Sequence, residues 1–147
     1  MTYSIAACDP ETAALGVARQ SKAPNSGGSI PVAPAGVGAI ASQAYLNPGF
    51  GHRGLALLEQ GASPGQALDV LVSGDPDRDS RQVGIVDARG RTAAYTGAEC
   101  FQWRGEVQGE GFTAQGNVLA GPEVLTAMGE TFAGSPGPLR SEERRVG

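Results

Sequence analysis

Residues 2 to 8 run Thr-Tyr-Ser-Ile-Ala-Ala-Cys, a mainly apolar stretch typical of a β-strand. The polar segment Asp9–Thr12 separates it from a second such stretch over Ala14–Ser21. Two strands joined by so short a turn form an antiparallel hairpin, in which the end of the second strand lies beside the start of the first. The pattern therefore places Ser21 and its chain neighbours close to Thr2.

The rest of the pattern predicts further strands and helices in blocks. One helix carries a strong start signal, because Ser63 can act as N-cap, Pro64 takes the first helical position and Gln66 completes a capping box. The predicted elements are, in chain order, extended segments over Ile30–Ala33 and Val37–Ala44, helices over His52–Gln60 and Ser63–Gly74, a hairpin over Gln82–Thr96, a strand over Phe112–Asn117 and a helix over Pro122–Gly134.

This order of elements, strands then helices then strands then a helix, predicts an α+β fold with antiparallel sheets covered by helices. The length of 147 residues fits one domain, which we place at residues 1–134. Residues 135–147 begin with Ser-Pro-Gly-Pro and continue as a short charged run without apolar periodicity, which predicts a linker-like or non-native tail.

Composition narrows the class of protein. A net charge of −4 does not provide the basic surface of a nucleic-acid-binding protein, so we expect no nucleic-acid partner. No apolar run reaches the ~18 residues that a membrane-spanning helix needs, and we expect no membrane partner. With two cysteines and no signal-peptide pattern before Thr2, the sequence predicts a cytoplasmic protein.

Thr2 is the main candidate for chemistry. A second residue as small as Thr allows removal of the initiator Met, which would leave Thr2 with a hydroxyl and a free α-amine. An α-amine has a pKa of roughly 7.7–8.0 in peptides, so near neutral pH it can accept the hydroxyl proton. Nucleophile and general base would then belong to one residue, although many proteins simply begin with Met-Thr and enter a strand.

Other chemistries have less support. Residues 75–79 start like a calcium-binding loop, but Ser80 and Val86 stand where that loop needs Gly and Glu. His52, Cys8 and Cys100 could form a thiol or metal site, although their spacing fits no structural zinc motif. We therefore expect no metal and no cofactor.

Ten short motifs spread along the chain closely resemble the bacterial family called domain of unknown function 1028. The resemblance extends from Thr2 to about Phe132. Its motifs are Thr2–Ile5, Asp9–Thr12, Leu15–Ala18, Gln20–Lys22, Ala35–Ala39, Asn47–Pro48, Arg81–Gly84, Asp87–Gly90, Thr96–Gly97 and Gln115–Gly121.

That family is similar to the amino-terminal-nucleophile (Ntn) hydrolases, which implies a four-layer αββα sandwich and Thr2 as the nucleophile. In the proteasome-like branch of that superfamily, an acidic residue stands where this chain has Gln20, followed here by Ser21 and Lys22. The resemblance implies Lys22 as a catalytic cation and Gln20 and Ser21 as substrate contacts. It also implies more helix and strand beyond the third helix, which leaves open a sandwich truncated at its C-terminus.

Three amide side chains complete the predicted site. Asn47 and Asn117 lie in loops with Gly or Pro and are candidate oxyanion donors, while Gln43 is a candidate substrate contact. The resemblance implies an amidohydrolase acting on a small-molecule or peptide substrate, and related sandwiches commonly form homo-oligomers. The alternative is a binding or regulatory module that keeps this fold without catalysis, which the replacement of an acid by Gln20 favours.

Overall fold

The computed structural model describes residues 1–22, 35–137 and 139. The predicted extended segment Ile30–Ala33 and most of the predicted tail lie outside the described residues. The described chain is a small α+β structure with two antiparallel sheets and three α-helices. These are β1 (Thr2–Cys8), β2 (Leu15–Ser21), β3 (Gly38–Ala44), α1 (Gly49–Glu59), α2 (Pro64–Ser73), β4 (Arg81–Asp87), β5 (Thr92–Thr96), β6 (Gly105–Gly109), β7 (Phe112–Asn117) and α3 (Glu123–Gly134).

The first sheet has the strand order β2-β1-β7-β6, so β1 is paired on both sides. The predicted hairpin of β1 and β2 is confirmed, with Thr2 opposite Ser21 and Cys8 opposite Leu15. Its turn is stabilised by Asp9, whose Oδ1 accepts hydrogen bonds from the N–H groups of Glu11 (2.9 Å) and Thr12 (3.3 Å). On the other side of β1, β7 brings Asn117 opposite Thr2.

The sequence does not predict strand β6, whose segment is rich in Gly before β7. Gly105 and Gly109 bound the strand, and only three residues lie between them, too few to establish the alternation of a half-buried strand. Both of its polar side chains at positions 106 and 108 lie on the face that meets the other sheet, where they bond Thr96 and Thr92 of β5. Polar contacts between the sheets therefore hold this strand in place.

The second sheet, β3-β4-β5, carries α1 and α2 on its outer face. Apolar side chains of β3 and β4 pack there against helix residues in one buried cluster, which includes Ile40, Val83, Ile85, Phe50 and Leu71. The predicted capping box of α2 is present, since the Ser63 hydroxyl accepts from the Gln66 N–H and the Gln66 side chain accepts from the Ser63 N–H. Helix α1 begins three residues earlier than predicted, at Gly49.

The inner faces of the two sheets meet, and α3 packs on the outer face of β6 and β7. At one end of the inter-sheet space the contacts are small and apolar, formed by Ala6, Cys8, Ala39, Ala41 and Val86. At the other end, where β1 begins, the inner residues are polar. The chain therefore places an apolar core and a polar region at opposite ends of the same interface.

Gly84 lies at the centre of this interface, opposite the side chain of Gln115. A Cβ at position 84 would overlap that side chain, lying 2.7 Å from its Cδ and 2.9 Å from its Nε2. We expect Gly84→Ala to lower the free energy of unfolding by about 1–3 kcal/mol, because the added methyl group forces the sheets or the amide to shift. Gly16→Ala is the matched control, since nothing lies within 4 Å of its Cβ position. Urea denaturation of both variants measures the difference, and equal stability would show that the interface accommodates the methyl group.

Candidate functional site

Thr2 lies at the start of β1, on the inner face of its sheet. Its Oγ1 is 2.8 Å from the Oγ of Ser21, and either hydroxyl can be the donor. Asn117 lies opposite Thr2 on the other neighbouring strand, so the side chains of all three residues lie on the same face. The register of three strands thus places the side chains of Ser21 and Asn117 on the same face as the Thr2 hydroxyl.

The other two residues of the Gln20-Ser21-Lys22 motif are placed differently. Gln20 pairs with Tyr3, so its side chain lies on the opposite face of the sheet from the Thr2 hydroxyl, and it is exposed. Lys22 follows the last residue of β2 and is exposed, and its backbone N–H donates to the carbonyl oxygen of Met1 at 3.2 Å. Ser21 alone brings its side chain to the hydroxyl of Thr2.

Asn117 belongs to a group of four buried amide side chains between the sheets, Gln43, Gln82, Gln115 and Asn117, here called the amide cluster. Each has at most 5% of its surface exposed. The Oε1 of Gln82 accepts from the Nδ2 of Asn117 at 3.0 Å and from the Nε2 of Gln43 at 2.8 Å. The predicted substrate contact Gln43 is therefore linked to Asn117, beside Thr2, through one intermediate residue.

Gln82 and Gln115 join the cluster to the strands of the first sheet. The Nε2 of Gln82 lies 2.9 Å from the carbonyl oxygen of Gly116 and 3.1 Å from that of Gly105. The Nε2 of Gln115 donates to the hydroxyl of Ser4 at 2.6 Å. Since amides do not titrate near neutral pH, this cluster keeps its hydrogen-bonding character across the pH range in which an α-amine gains and loses its proton.

One acceptor of the amide cluster is unused. The Oε1 of Gln43 is buried and accepts no hydrogen bond from the described residues. An unpaired buried acceptor costs free energy, about 1–3 kcal/mol, and a donor placed there would recover it. The cluster thus offers one acceptor to a bound molecule or water.

Sequence reasoning did not find Gln82 or Gln115. Both stand in strands beside small or apolar residues, in Gln82-Val83-Gly84 and Ala114-Gln115-Gly116. A polar amide at an inner position of a buried strand was the available signal, but it identifies a partner only when the facing sheet is known.

The backbone is strained where the chain leaves the site. Ala44 has φ 66° and Val118 has φ 55°, and these residues directly follow Gln43 and Asn117. A left-handed conformation is unfavourable for residues other than Gly, above all for a β-branched one such as Val. Such positions cluster at functional sites, where the surrounding structure holds them in place.

Asn47, the other predicted oxyanion donor, has both of its side-chain polar atoms engaged elsewhere. Its Nδ2 donates to Asp75 at 3.0 Å, and its Oδ1 accepts from the Gly49 N–H at 3.0 Å at the start of α1. The Oδ2 of Asp75 also accepts a hydrogen bond from the Nε of Arg81 at 2.9 Å. In this structure Asn47 stabilises the loop before α1, and its predicted role in catalysis stays a prediction.

The ion pair of Asp75 and Arg81 gives the fold a pH-dependent component. The Arg81 guanidinium, helped by the Asn47 amide, holds the pKa of the Asp75 carboxyl well below its usual range. A lowered pKa in the folded state stabilises the fold above the unfolded pKa of about 3.9, and this stabilisation is lost as the pH falls further.

We expect Asp75→Asn to lower the free energy of unfolding at pH 7 by about 2–4 kcal/mol, because Arg81 loses a buried partner. The difference from wild type should shrink as the pH falls below about 4. Denaturation at pH 7 and pH 3 measures both values, with Asp69→Asn on the exposed side of α2 as control. An equal difference at the two pH values would contradict the role of the carboxylate.

The thiols of the two cysteines contact opposite ends of β4, although neither cysteine belongs to that strand. The thiol of Cys8 donates to the carbonyl of Ala88 at 3.7 Å, and that of Cys100 donates to the carbonyl of Arg81 at 3.3 Å. At about 3.3 Å per residue, the strand between these carbonyls separates the thiols by roughly 20 Å. Burial raises the pKa of both thiols, so neither is an activated nucleophile. The hypothesis of a site shared by Cys8, Cys100 and His52 is therefore wrong.

A cleft of ≈ 630 Å³ opens at the far end of β1, lined in part by Cys8, Phe112 and Phe132. The length of the strand places it about 20 Å from Thr2, so it is not part of the same site.

No group of three metal-binding side chains occurs in residues 1–22, 35–137 and 139. Within the same ranges, none of the helices combines the length and the apolar character needed to span a membrane.

Comparison with known proteins identifies relatives over almost the whole chain. A family model described as "Family of unknown function (DUF1028)" matches residues 2–144. The crystal structure of a DUF1028 protein from Silicibacter pomeroyi has a TM-score of 0.90 and 35% sequence identity, and the match covers 95% of this chain and 65% of that one. The chain therefore spans 65% of the length of this relative. No protein with a curated description matches.

Proposed function

The chain belongs to the DUF1028 family, and we propose that it is an N-terminal-nucleophile amidohydrolase that cleaves an amide or peptide-like bond through Thr2. One observation carries this proposal. The Thr2 hydroxyl lies on the inner face at the start of a central strand, with the hydroxyl of Ser21 at 2.8 Å and Asn117 directly opposite. A small-molecule or peptide substrate would enter at this polar end of the inter-sheet space.

Removal of Met1 completes the nucleophile in this proposal. It exposes the α-amine of Thr2 and takes away the carbonyl oxygen that accepts the Lys22 N–H. That N–H then lies beside the new amine, where it favours the neutral form that can accept a proton over the charged form. The exposed Lys22 ammonium adds a positive charge near the end of the same strand, which acts in the same direction.

The reaction has two halves. The amine accepts the Thr2 Oγ1 proton while Oγ1 attacks the substrate carbonyl carbon, and the protonated amine then gives this proton to the leaving nitrogen as the C–N bond breaks. Water attacks the resulting ester, again losing a proton to the amine, and the ester C–O bond breaks to return that proton to Oγ1. Ser21 orients the Thr2 hydroxyl, and the Asn117 amide group, held by Gln82, stabilises the oxyanion.

We also propose that the fold is the αββα sandwich of Ntn hydrolases. Its support is the stacking order, since α3 covers the outer face of one sheet, α1 and α2 cover the outer face of the other, and the inner faces meet. The family match continues to residue 144, beyond the end of α3. The division into residues 1–134 and a tail stays a prediction.

The position of Gln20 motivates the alternative, a binding or regulatory module without catalysis. Gln20 stands where the resemblance implies an acid, and its side chain lies on the face of the sheet away from Thr2, so Gln20 does not tune the amine. Intact-mass measurement of the protein from cells separates the two proposals. A retained Met1 blocks the amine and favours the binding module, whereas a mass without Met1 favours the enzyme.

Acylation by an electrophilic probe, such as a β-lactone, tests the enzyme proposal. We expect one adduct on the peptide that begins with Thr2. Because the α-amine can itself be acylated, the adduct is treated with hydroxylamine, which cleaves an ester on Oγ1 and leaves an amide intact. Hydroxylamine is applied to the native protein, because an ester on Oγ1 can pass to the neighbouring free amine once the chain is denatured. Labelling spread over lysines, or no adduct on the Thr2 peptide, would contradict the proposal.

A further inference from the structure

Exposed large apolar side chains gather at the end of the structure where Thr2 lies. Five such residues are more than 40% exposed among the described ones, and Val70 is the one that lies on α2. The remaining four are Met1 (42%), Tyr45 (57%), Phe101 (58%) and Val118 (43%). Clustered exposed apolar surface on a small domain marks a binding region more often than scattered residues do.

Strand register connects these residues to the proposed nucleophile. Asn117 lies opposite Thr2, and Val118 follows it directly. The Val118 N–H donates to the carbonyl oxygen of Phe101 at 3.2 Å, and the ring centroids of Phe101 and Tyr45 are 6.1 Å apart. Tyr45, Phe101 and Val118, here called the apolar rim, therefore form a connected group that begins one residue after Asn117.

The backbone of the apolar rim is held in place. The Nη1 of Arg81 donates to the carbonyl oxygen of Tyr45 at 2.9 Å, and the Tyr45 N–H donates to that of Ser80 at 3.2 Å. On the other side, Leu119 and Trp103 exchange backbone hydrogen bonds of 3.0 and 3.3 Å. A positioned apolar surface loses little conformational entropy when it binds a ligand, which suits a specificity site.

We propose that the apolar rim is a specificity subsite, which binds a large apolar or aromatic side group of the amide substrate next to the bond that Thr2 cleaves. This inference rests on the proposed function. Its occupant follows from position, because the apolar rim begins at the residue after Asn117, which lies opposite Thr2, so a large group on the carbonyl that Thr2 attacks lies next to the rim. Met1 directly precedes Thr2 and is 42% exposed, so its removal would also clear apolar surface from beside the amine.

Binding to the Thr2→Ala variant tests the subsite without any reaction. Trp103 is the one tryptophan of the 147 residues, and its backbone pairs with the chain directly after Val118, so its fluorescence reports binding nearby. The probes are N-acetyl-phenylalanine amide and N-acetyl-alanine amide. We expect the phenylalanine amide to bind at least about tenfold more tightly, as a hydrophobic pocket distinguishes such groups.

Two further variants on the Thr2→Ala background locate the effect. Phe101→Ala should remove the preference, whereas Val70→Ala, an exposed apolar residue on α2, should keep it. Equal binding of the two amides, no binding of either, or self-association that Phe101→Ala abolishes would each overturn the subsite. Failure of wild type to form an ester adduct would instead overturn the proposed function, so the two failures are distinguishable.

Discussion

Thr2→Ala lowers the rate of hydroxylamine-labile acylation by on the order of 10⁴-fold or more, because it removes the attacking oxygen while leaving the α-amine. Thr2→Ser keeps an oxygen at the same position and should retain a rate within about 100-fold of wild type. Alanine and serine are both small, so removal of Met1 is expected in both variants. The comparison therefore isolates the hydroxyl group, and labelling rates followed by intact mass measure it.

Two controls accompany this prediction. Ser21→Ala removes the hydroxyl that lies 2.8 Å from Thr2 Oγ1, and we expect a smaller loss of about 10-fold because Ser21 only orients the nucleophile. The free energy of unfolding of Thr2→Ala should lie within about 1 kcal/mol of wild type, since one half-buried hydroxyl is lost. Equal labelling of wild type and Thr2→Ala would contradict the assignment of the nucleophile.

Gln82→Ala lowers the free energy of unfolding by about 3–5 kcal/mol, the largest loss of stability that we expect from the inter-sheet region. Gln82 is fully buried, and its side chain contacts two other amides and two backbone carbonyls. Alanine leaves these groups without a partner and creates a cavity between the sheets. The same change frees the Asn117 amide, so acylation should also become slower.

Gln60→Ala is the matched control for the loss of an amide, because Gln60 is exposed at the end of α1. We expect its free energy of unfolding to stay within about 0.5 kcal/mol of wild type. Urea denaturation of the three proteins measures both values. A loss from Gln82→Ala no larger than that of the control would show that the amide cluster does not stabilise the sheet interface.

The local features of the fold could be predicted from the sequence. The hairpin of β1 and β2, its register at Thr2 and the capping box of α2 follow from residues close in the chain, and all three are confirmed. The hairpin of β4 and β5 is likewise confirmed. Short loops restrict such elements to few arrangements, which is why alternation and turn residues identify them.

The amide cluster could not be predicted in this way. Gln43, Gln82 and Gln115 come from strands more than 30 positions apart; the first two pair across neighbouring strands of one sheet, and Gln115 comes from the sheet that faces it. Asn47 and Asn117 looked alike as loop amides, yet the first bonds Asp75 and the second lies opposite Thr2. Pairing between distant strands distinguished these two residues, and single-sequence patterns do not contain it.

Several expectations from the sequence stay predictions. They concern a cytoplasmic location, pairing of subunits into a homo-oligomer, and the absence of nucleic-acid, membrane, metal and cofactor partners. Size-exclusion chromatography with light scattering measures the oligomeric state directly. A dimer that persists in Phe101→Ala would place the contact between subunits outside the apolar rim.

The central claim is that the α-amine of Thr2 acts as the base for its own hydroxyl. Two preparations of the same chain that differ only in Met1 test it most directly, one processed in the cell and one made while methionine aminopeptidase is inhibited. We expect hydroxylamine-labile acylation of Thr2 to be faster in the Met1-free protein by on the order of 100-fold or more. Equal rates in the two preparations would contradict the claim.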